Sequence, residues 1–273
     1  MTIKQKNKLI EPLHGGDSTI HSRNSNKSLR NNKVPCNHPA SITSLESVTR
    51  YYSYLNNSEK NLPDVDINRC FAVRLAMFLI GAVSNNRFSV TKTGHFKKNF
   101  YRYCMEKAPE SGLSAEIDDP ELLIIYVKQC VHLLKVAGIV KRSGSCAIIY
   151  EPDIPEKAMY FLIFSAFWNQ ARWEYIFPSD TESAKELNHG KNILKDLLLR
   201  HWGTIRLDSL ANEFFEMTGF ASPNNLFKIS FLDFYFFMWL NHFGMIRYSD
   251  EPAYAPVRIT VTDLGRKVLQ SFS

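Results

Sequence analysis

The sequence predicts a mainly helical α+β fold with small β-hairpins, in which one helix–strand–helix–helix–strand–strand unit occurs twice. Three observations predict it. First, Leu134-Lys-Val-Ala-Gly138-Ile-Val-Lys-Arg-Ser143 and Leu240-Asn-His-Phe-Gly244-Met-Ile-Arg-Tyr-Ser249 share one pattern, 106 positions apart. Glycine suits a helix exit because the next residue often turns left-handed, which costs a side-chain-bearing residue energy. Second, each copy closes a long apolar stretch of helical period. Third, 273 residues at 45% hydrophobic can bury one large core or two of roughly 100 residues each.

Along the chain, residues 1–45 are rich in Asn, Ser, Lys and His and carry no helical or strand period. Such a segment cannot bury enough surface to offset its ordering entropy, so a disordered basic tail is predicted. Cys36-Asn-His38 within it supplies two ligands, which do not make a metal site. Ser47 to Asn57 has helical spacing and can open the ordered part, a first module over 46–152. Cys70 to Ser84 reads as an apolar helix and Phe88 to Thr91 as a short strand. Gly94 to Lys107 reads as a basic helix with Phe96, Phe100 and Cys104 on one face. Asp119-Pro120 is a helix start, a capping carboxylate followed by proline in the first turn. That third helix runs to Gly138 with Ile124, Val127, Val131 and Leu134 inward. Strands Ile139 to Arg142 and Cys146 to Tyr150 follow, with Ser143-Gly144 as the hairpin turn.

Residues 153–186 form a connecting segment. Its apolar run from Pro155 to Phe177 predicts a helix packed on both modules, punctuated by Pro152, Pro155 and Pro178. The second module, 187–273, repeats the order. Asn188 to Trp202 is a helix, Thr204 to Leu207 a strand, and Asp208 to Thr218 a helix opened by Asp208 as cap. Phe227 to Gly244 is the third helix, Met245 to Ser249 and Val257 to Thr262 are strands, and Asp263 to Phe272 closes the chain.

With this order in hand, the chain resembles tandem winged-helix proteins of bacterial type, a branch of the helix-turn-helix group. The clearest local likeness is Ile259-Thr-Val-Thr-Asp-Leu-Gly265-Arg-Lys-Val-Leu269, similar to the strand, T-x-x-G and helix exit of winged-helix regulators. Val90-Thr-Lys-Thr-Gly94-His-Phe-Lys97 echoes it. Residues 87–107 therefore fit either the inner strand and second helix of module 1 or the tail of a degenerate earlier wing.

The resemblance implies that a third helix enters the major groove of DNA while the wing touches the backbone. The outer face of that helix in module 1 carries Glu121, Lys128, His132 and Lys135, with Gln129 adjacent. Lys141 and Arg142 stand at the wing, and the second helix adds Lys92, His95, Lys97, Lys98 and Arg102. Residues 85–142 hold ten basic and six acidic residues, the acids mostly within 106–121. The expectation is that Lys128, Gln129, His132 and Lys135 read bases while Lys97, Lys98, Arg102, Lys141 and Arg142 hold phosphates. The same spacing also fits a solvated amphipathic face. The third helix of module 2 is apolar around most of its circumference and fits packing or dimerisation instead.

Overall charge adds little. Residues 1–50 hold eight Lys/Arg against three acids, a net +5, leaving 25 basic and 24 acidic, a net +1, in a nearly neutral remainder, so most of the charge sits in the tail. The tail reads as a solubilising extension that can also supply phosphate contacts.

Other classes find no motif. Gly190-Lys191 lacks the upstream glycine of a P-loop, and Asp118-Asp119 is explained by capping. No catalytic residue, metal site or cofactor is predicted, and the chain reads as a non-enzyme. Five cysteines with no C-x-x-C, and no apolar stretch in the first dozen residues, predict a cytoplasmic protein. The apolar run 226–246 contains Lys228, Asp233, Asn241 and His242, so it reads as a buried helix rather than a membrane span. Two functions follow as expectations. One is a DNA-binding transcriptional regulator acting as a dimer, with module 2 dimerising. The alternative is a non-enzymatic assembly subunit, of the chromosome-organising ATPase or phage-defence kind, binding a partner protein through module 2 aromatics.

Overall fold

The computed structural model describes residues 67–150, 154–178, 181–201, 203–220, 225–249 and 257–271. The expectations for the tail, for Cys36 and His38, for the 47–57 helix, for Pro152 and for Trp202 lie outside these residues. The described chain is mainly helical with two small antiparallel sheets.

Helix α1, Phe71–Asn85, is apolar on nearly every side and runs through the core. The chain then passes Phe88 to Val90, where Ser89 bridges Cys146 and Val90 bridges Phe96. Helix α2 spans Lys98–Lys107 and so begins later than the spacing predicts. The reason is local. Thr91 N–H donates to the His95 carbonyl at 2.8 Å, and Gly94 adopts φ +79°, which ends any helical path through 91–95. Helix α3 spans Pro120–Val136, and the Asp119 carboxylate accepts from the Glu121 and Leu122 amides at 2.8 and 3.3 Å. Strands β1, Val140–Ser143, and β2, Cys146–Ile149, pair with Ser143 opposite Cys146. The turn is therefore Gly144-Ser145, one position later than expected, with Gly144 supplying φ +61°.

The connecting segment is not one helix. Helix α4, Glu156–Ser165, runs into a π-helical turn at Ala166–Gln170, and after a break comes the short α5, Trp173–Ile176. Helix α6, Thr181–Arg200, starts earlier than its apolar period suggests. Strand β3, Thr204–Arg206, leads to α7, Leu207–Thr218. Asp208 lies inside that helix rather than capping it, and its carboxylate takes Arg206 at 2.6 Å.

Helix α8, Asn225–Leu232, passes through a second π-helical turn, Asp233–Phe237, into α9, Met238–His242. Strands β4, Ile246–Tyr248, and β5, Arg258–Val261, complete a sheet ordered β3-β5-β4. Helix α10, Asp263–Ser271, closes the described chain. Thr262 Oγ caps it, accepting the Gly265 amide at 3.0 Å while donating to the Gly244 carbonyl at 2.7 Å. A Cβ on Gly265 would lie 2.0 Å from the Met245 carbonyl oxygen, so the glycine lets α10 close onto the strand.

One hydrophobic cluster joins both halves through the connecting segment. Tyr160 and Phe164 of α4 and Phe167 of the first π turn lie 5.1–5.9 Å, ring to ring, from Phe243. Phe236 of the second π turn meets Trp173 at 4.7 Å and Trp168 at 5.7 Å.

Candidate nucleic-acid interface

The turn between Val90 and Lys97 is the centre of the cationic region. Besides the Thr91–His95 backbone bond, Thr91 Oγ accepts the His95 amide at 3.1 Å and meets Thr93 Oγ at 2.9 Å. The Lys97 amide donates to the Ser89 carbonyl at 3.3 Å, which fixes the entry to α2. Lys92, His95, Lys97, Lys98 and Arg102 are all exposed. Lys92 and His95 belong to this turn and Lys97 is the residue capping α2, so none of these three stands on the second helix as expected. A helix start carrying Lys97 and Lys98 places two cations at the positive end of the helix dipole, an arrangement that an anion relieves.

Two cations from other elements hold the turn from behind. Lys135 of α3 donates its Nζ to the Gly94 carbonyl at 2.6 Å and lies 5.7 Å from the Phe96 ring. Arg142 of β1 reaches the Lys92 carbonyl through Nη1 and the Gly144 carbonyl through Nε at 2.6 Å. A cleft of about 110 Å³ lies between them, lined by Val90, Thr93, Gly94, Lys135, Val140, Lys141, Arg142 and Ala147. Lys141 sits 4.0 Å over the Tyr150 ring, and Lys128 sits 5.8 Å from the Tyr101 ring. Both ammonium heads thus lie against aromatic faces, whose quadrupole attracts a cation.

The base-reading set expected on α3 is not presented to solvent as a set. Gln129 is only 6% exposed. Its amide donates to the Ile176 carbonyl at 3.2 Å and accepts from Trp239 Nε1 at 3.0 Å. It is a core strut between α3, α5 and α9, so its expected role at DNA is corrected. His132 is half-buried beside Tyr175, 5.8 Å away, and burial together with Lys135 and His95 pushes its pKa down. Lys135 is likewise half-buried, and its pKa is lowered by desolvation. Of the expected readers only Lys128 is exposed, on a narrow stripe with Glu121 and Ile125.

Carboxylate pairing is uneven over the described cations, and Lys157, Lys191, Lys228, Arg247 and Lys267 outside this region also hold no ion pair among the described residues. Arg74, Lys107, Arg172, Lys185, Arg200 and Arg206 each hold a carboxylate. Among the described residues, no ion pair involves Lys92, Lys97, Lys98, Arg102, Lys128, Lys135, Lys141 or Arg142. The packing of α2 on α3 explains the segregation. Lys135 near the end of α3 meets the turn before α2, so Glu106, Glu110, Glu116, Asp118 and Glu121 fall toward the opposite end of the pair.

No known protein family, curated protein or solved structure matches the chain. The geometry therefore stands alone. Sequence reasoning missed the clamp on the turn, because the acceptors for Lys135 and Arg142 are backbone carbonyls and leave no residue signature. In the second half, Phe231, Phe236, Phe237, Trp239 and Phe243 are buried within the chain itself. The connecting segment supplies the cover for this aromatic face, one of the two covers the sequence allows. Among the described residues, no group of His, Cys, Asp and Glu could hold a metal ion, and no helix is long and apolar enough to cross a membrane.

Proposed function

We propose that the chain is a duplex-DNA-binding protein built from two winged-helix modules, in which the first holds the phosphate backbone and the second packs. The observation that carries this reading is the cluster of Lys92, Lys97, Lys98, Arg102, Lys141 and Arg142 around the 91–97 turn, α2 and the β1–β2 hairpin, none of them in an ion pair among the described residues. The winged-helix part rests on topology. In both halves the strand before the second helix bonds to the last strand of the hairpin: Ser89 to Cys146 in one, β3 to β5 in the other. Phe231, Phe236, Phe237, Trp239 and Phe243, which an assembly subunit would offer to a partner, are buried within the chain, which favours DNA over that alternative.

Because Gln129 faces inward and Lys135 is engaged, the contacts fall on phosphates rather than base edges, and phosphate contacts carry no sequence information directly. Fluorescence anisotropy with two duplexes of unrelated sequence tests this. The expected result is similar affinity for both and a steep salt dependence, the log–log slope changing by about 1 for each phosphate-contacting cation removed. Replacing Lys97, Lys98, Arg102 and Lys128 together by Gln abolishes binding under this reading. Binding unchanged by the fourfold substitution overturns it.

A further inference from the structure

We propose that the cleft between the 91–97 turn and strand β1 is a subsite for one phosphate group, with Lys135 and Arg142 as its two cationic walls. The proposal refines the nucleic-acid reading by naming where a single phosphate is seated, but it makes a claim of its own about the anion. Lys135 and Arg142 come from different elements and are each anchored to a carbonyl of the same turn, Gly94 and Lys92, so their positions are fixed before any ligand arrives. Preorganised donors lose little freedom on binding. Thr93 and Gly94 line the same cleft, which adds a hydroxyl and a backbone segment in the left-handed conformation.

The energetic argument concerns Lys135. Its ammonium is half out of water, yet its hydrogen-bond partner is a neutral carbonyl and its other near neighbour is the Phe96 ring. Taking a cation from water without a counter-charge is unfavourable, and a bound anion removes that penalty. A cleft of about 110 Å³ has room for a tetrahedral oxyanion. The shared chemistry is the phosphate oxyanion, whether it belongs to a backbone diester or to a terminal monoester.

The test uses the full chain and inorganic phosphate, titrated at constant ionic strength and followed by amide resonances. The expected result is saturable movement of Thr93, Gly94 and Arg142. Lys135→Met keeps the apolar stem and weakens phosphate binding by about tenfold or more, the loss of one charge-assisted hydrogen bond. Lys185→Gln, which removes a charge on α6, leaves it unchanged. Arg142→Gln gives a second variant that weakens binding should Lys135→Met disturb the turn. Linear, non-saturating shifts overturn the proposal, as does equal weakening by Lys185→Gln and Lys135→Met.

Duplexes with and without a 5′-phosphate then separate the sources. Equal affinity, weakened in both by Lys135→Met, assigns the cleft to the backbone. Preference for the phosphorylated end, lost in Lys135→Met, assigns it to a terminal monoester. Saturable phosphate binding without duplex binding supports the cleft and refutes the nucleic-acid reading. Duplex binding without a phosphate-saturable site does the reverse.

Discussion

Gly138 and Gly244 hold the same place in the repeat and the same left-handed backbone, φ +77° and +67°. Their surroundings differ. A Cβ on Gly138 meets nothing within 4 Å, whereas one on Gly244 lies 2.9 Å from Cys70 Sγ at the start of α1. Gly138→Ala therefore costs only the left-handed penalty, about 1–2 kcal/mol. Gly244→Ala costs that and a displacement of the α1 entry, so its urea midpoint falls further at unchanged m-value. Equal losses in the two variants would contradict this. His242 makes a second residue-scale prediction. Its ring sits 4.5 Å from Phe71 and 4.6 Å from Tyr126, and its Nε2 is buried with no hydrogen-bond partner among the described residues. Burial lowers its pKa from 6.5 to about 3. The unfolded chain thus takes up the proton first, so the contribution is complete above pH 6.5 and falls as pH drops toward 3. The slope is about 1.4 kcal/mol per pH unit for this group, and half-buried His132 adds to it with the same sign. Between pH 7.5 and 5, His242→Phe is expected to lose about 2 kcal/mol less than the parent in urea titrations. Parallel losses would refute the assignment.

At the scale of elements, α3 shows which features the sequence made legible and which it did not. Asp119-Pro120 and Gly138 mark its ends because a cap and a left-handed exit are local requirements, met by residues within three positions. The direction of Gln129 is not local. Its partners are Ile176 and Trp239, 47 and 110 positions away, and a polar residue next to an exposed lysine reads as surface until they are placed. Lys135 misled for the same reason, since the Gly94 carbonyl that holds it has no side chain. The connecting segment was legible as apolar but not as broken. Its π turn at Ala166–Gln170 packs rings against a second π turn 67 positions on, a fit set by tertiary contacts rather than periodicity. A direct test follows at Gln129. Gln129→Leu leaves the Trp239 indole N–H buried without its acceptor, a cost of about 1–3 kcal/mol. The expected outcome is lower thermal stability, with the proposed DNA binding unchanged below the transition. A variant that keeps its stability but loses DNA affinity would return Gln129 to the interface.

For the whole molecule, two repeats do not make two independent folding units. The second half's third helix is apolar around its girth because the connecting segment occupies the face that a groove-reading helix would leave open. Trp168, Trp173 and Trp239, three of the chain's four tryptophans, lie where the connecting segment meets the second half and are 0–1% exposed. Tyr126 of α3 donates to Met238 Sδ at 3.5 Å and packs on His242, so the first half closes on the same surface. A shared core of this kind unfolds as one cooperative unit. Near-ultraviolet dichroism, which reports the tryptophan junction, and far-ultraviolet dichroism, which reports all the helices, should then give one coincident midpoint. Phe236→Ala removes the ring between Trp168 and Trp173 and is expected to cost about 3–5 kcal/mol, shifting both signals together. If the halves were independent, the tryptophan signal would move alone while part of the helical signal persisted.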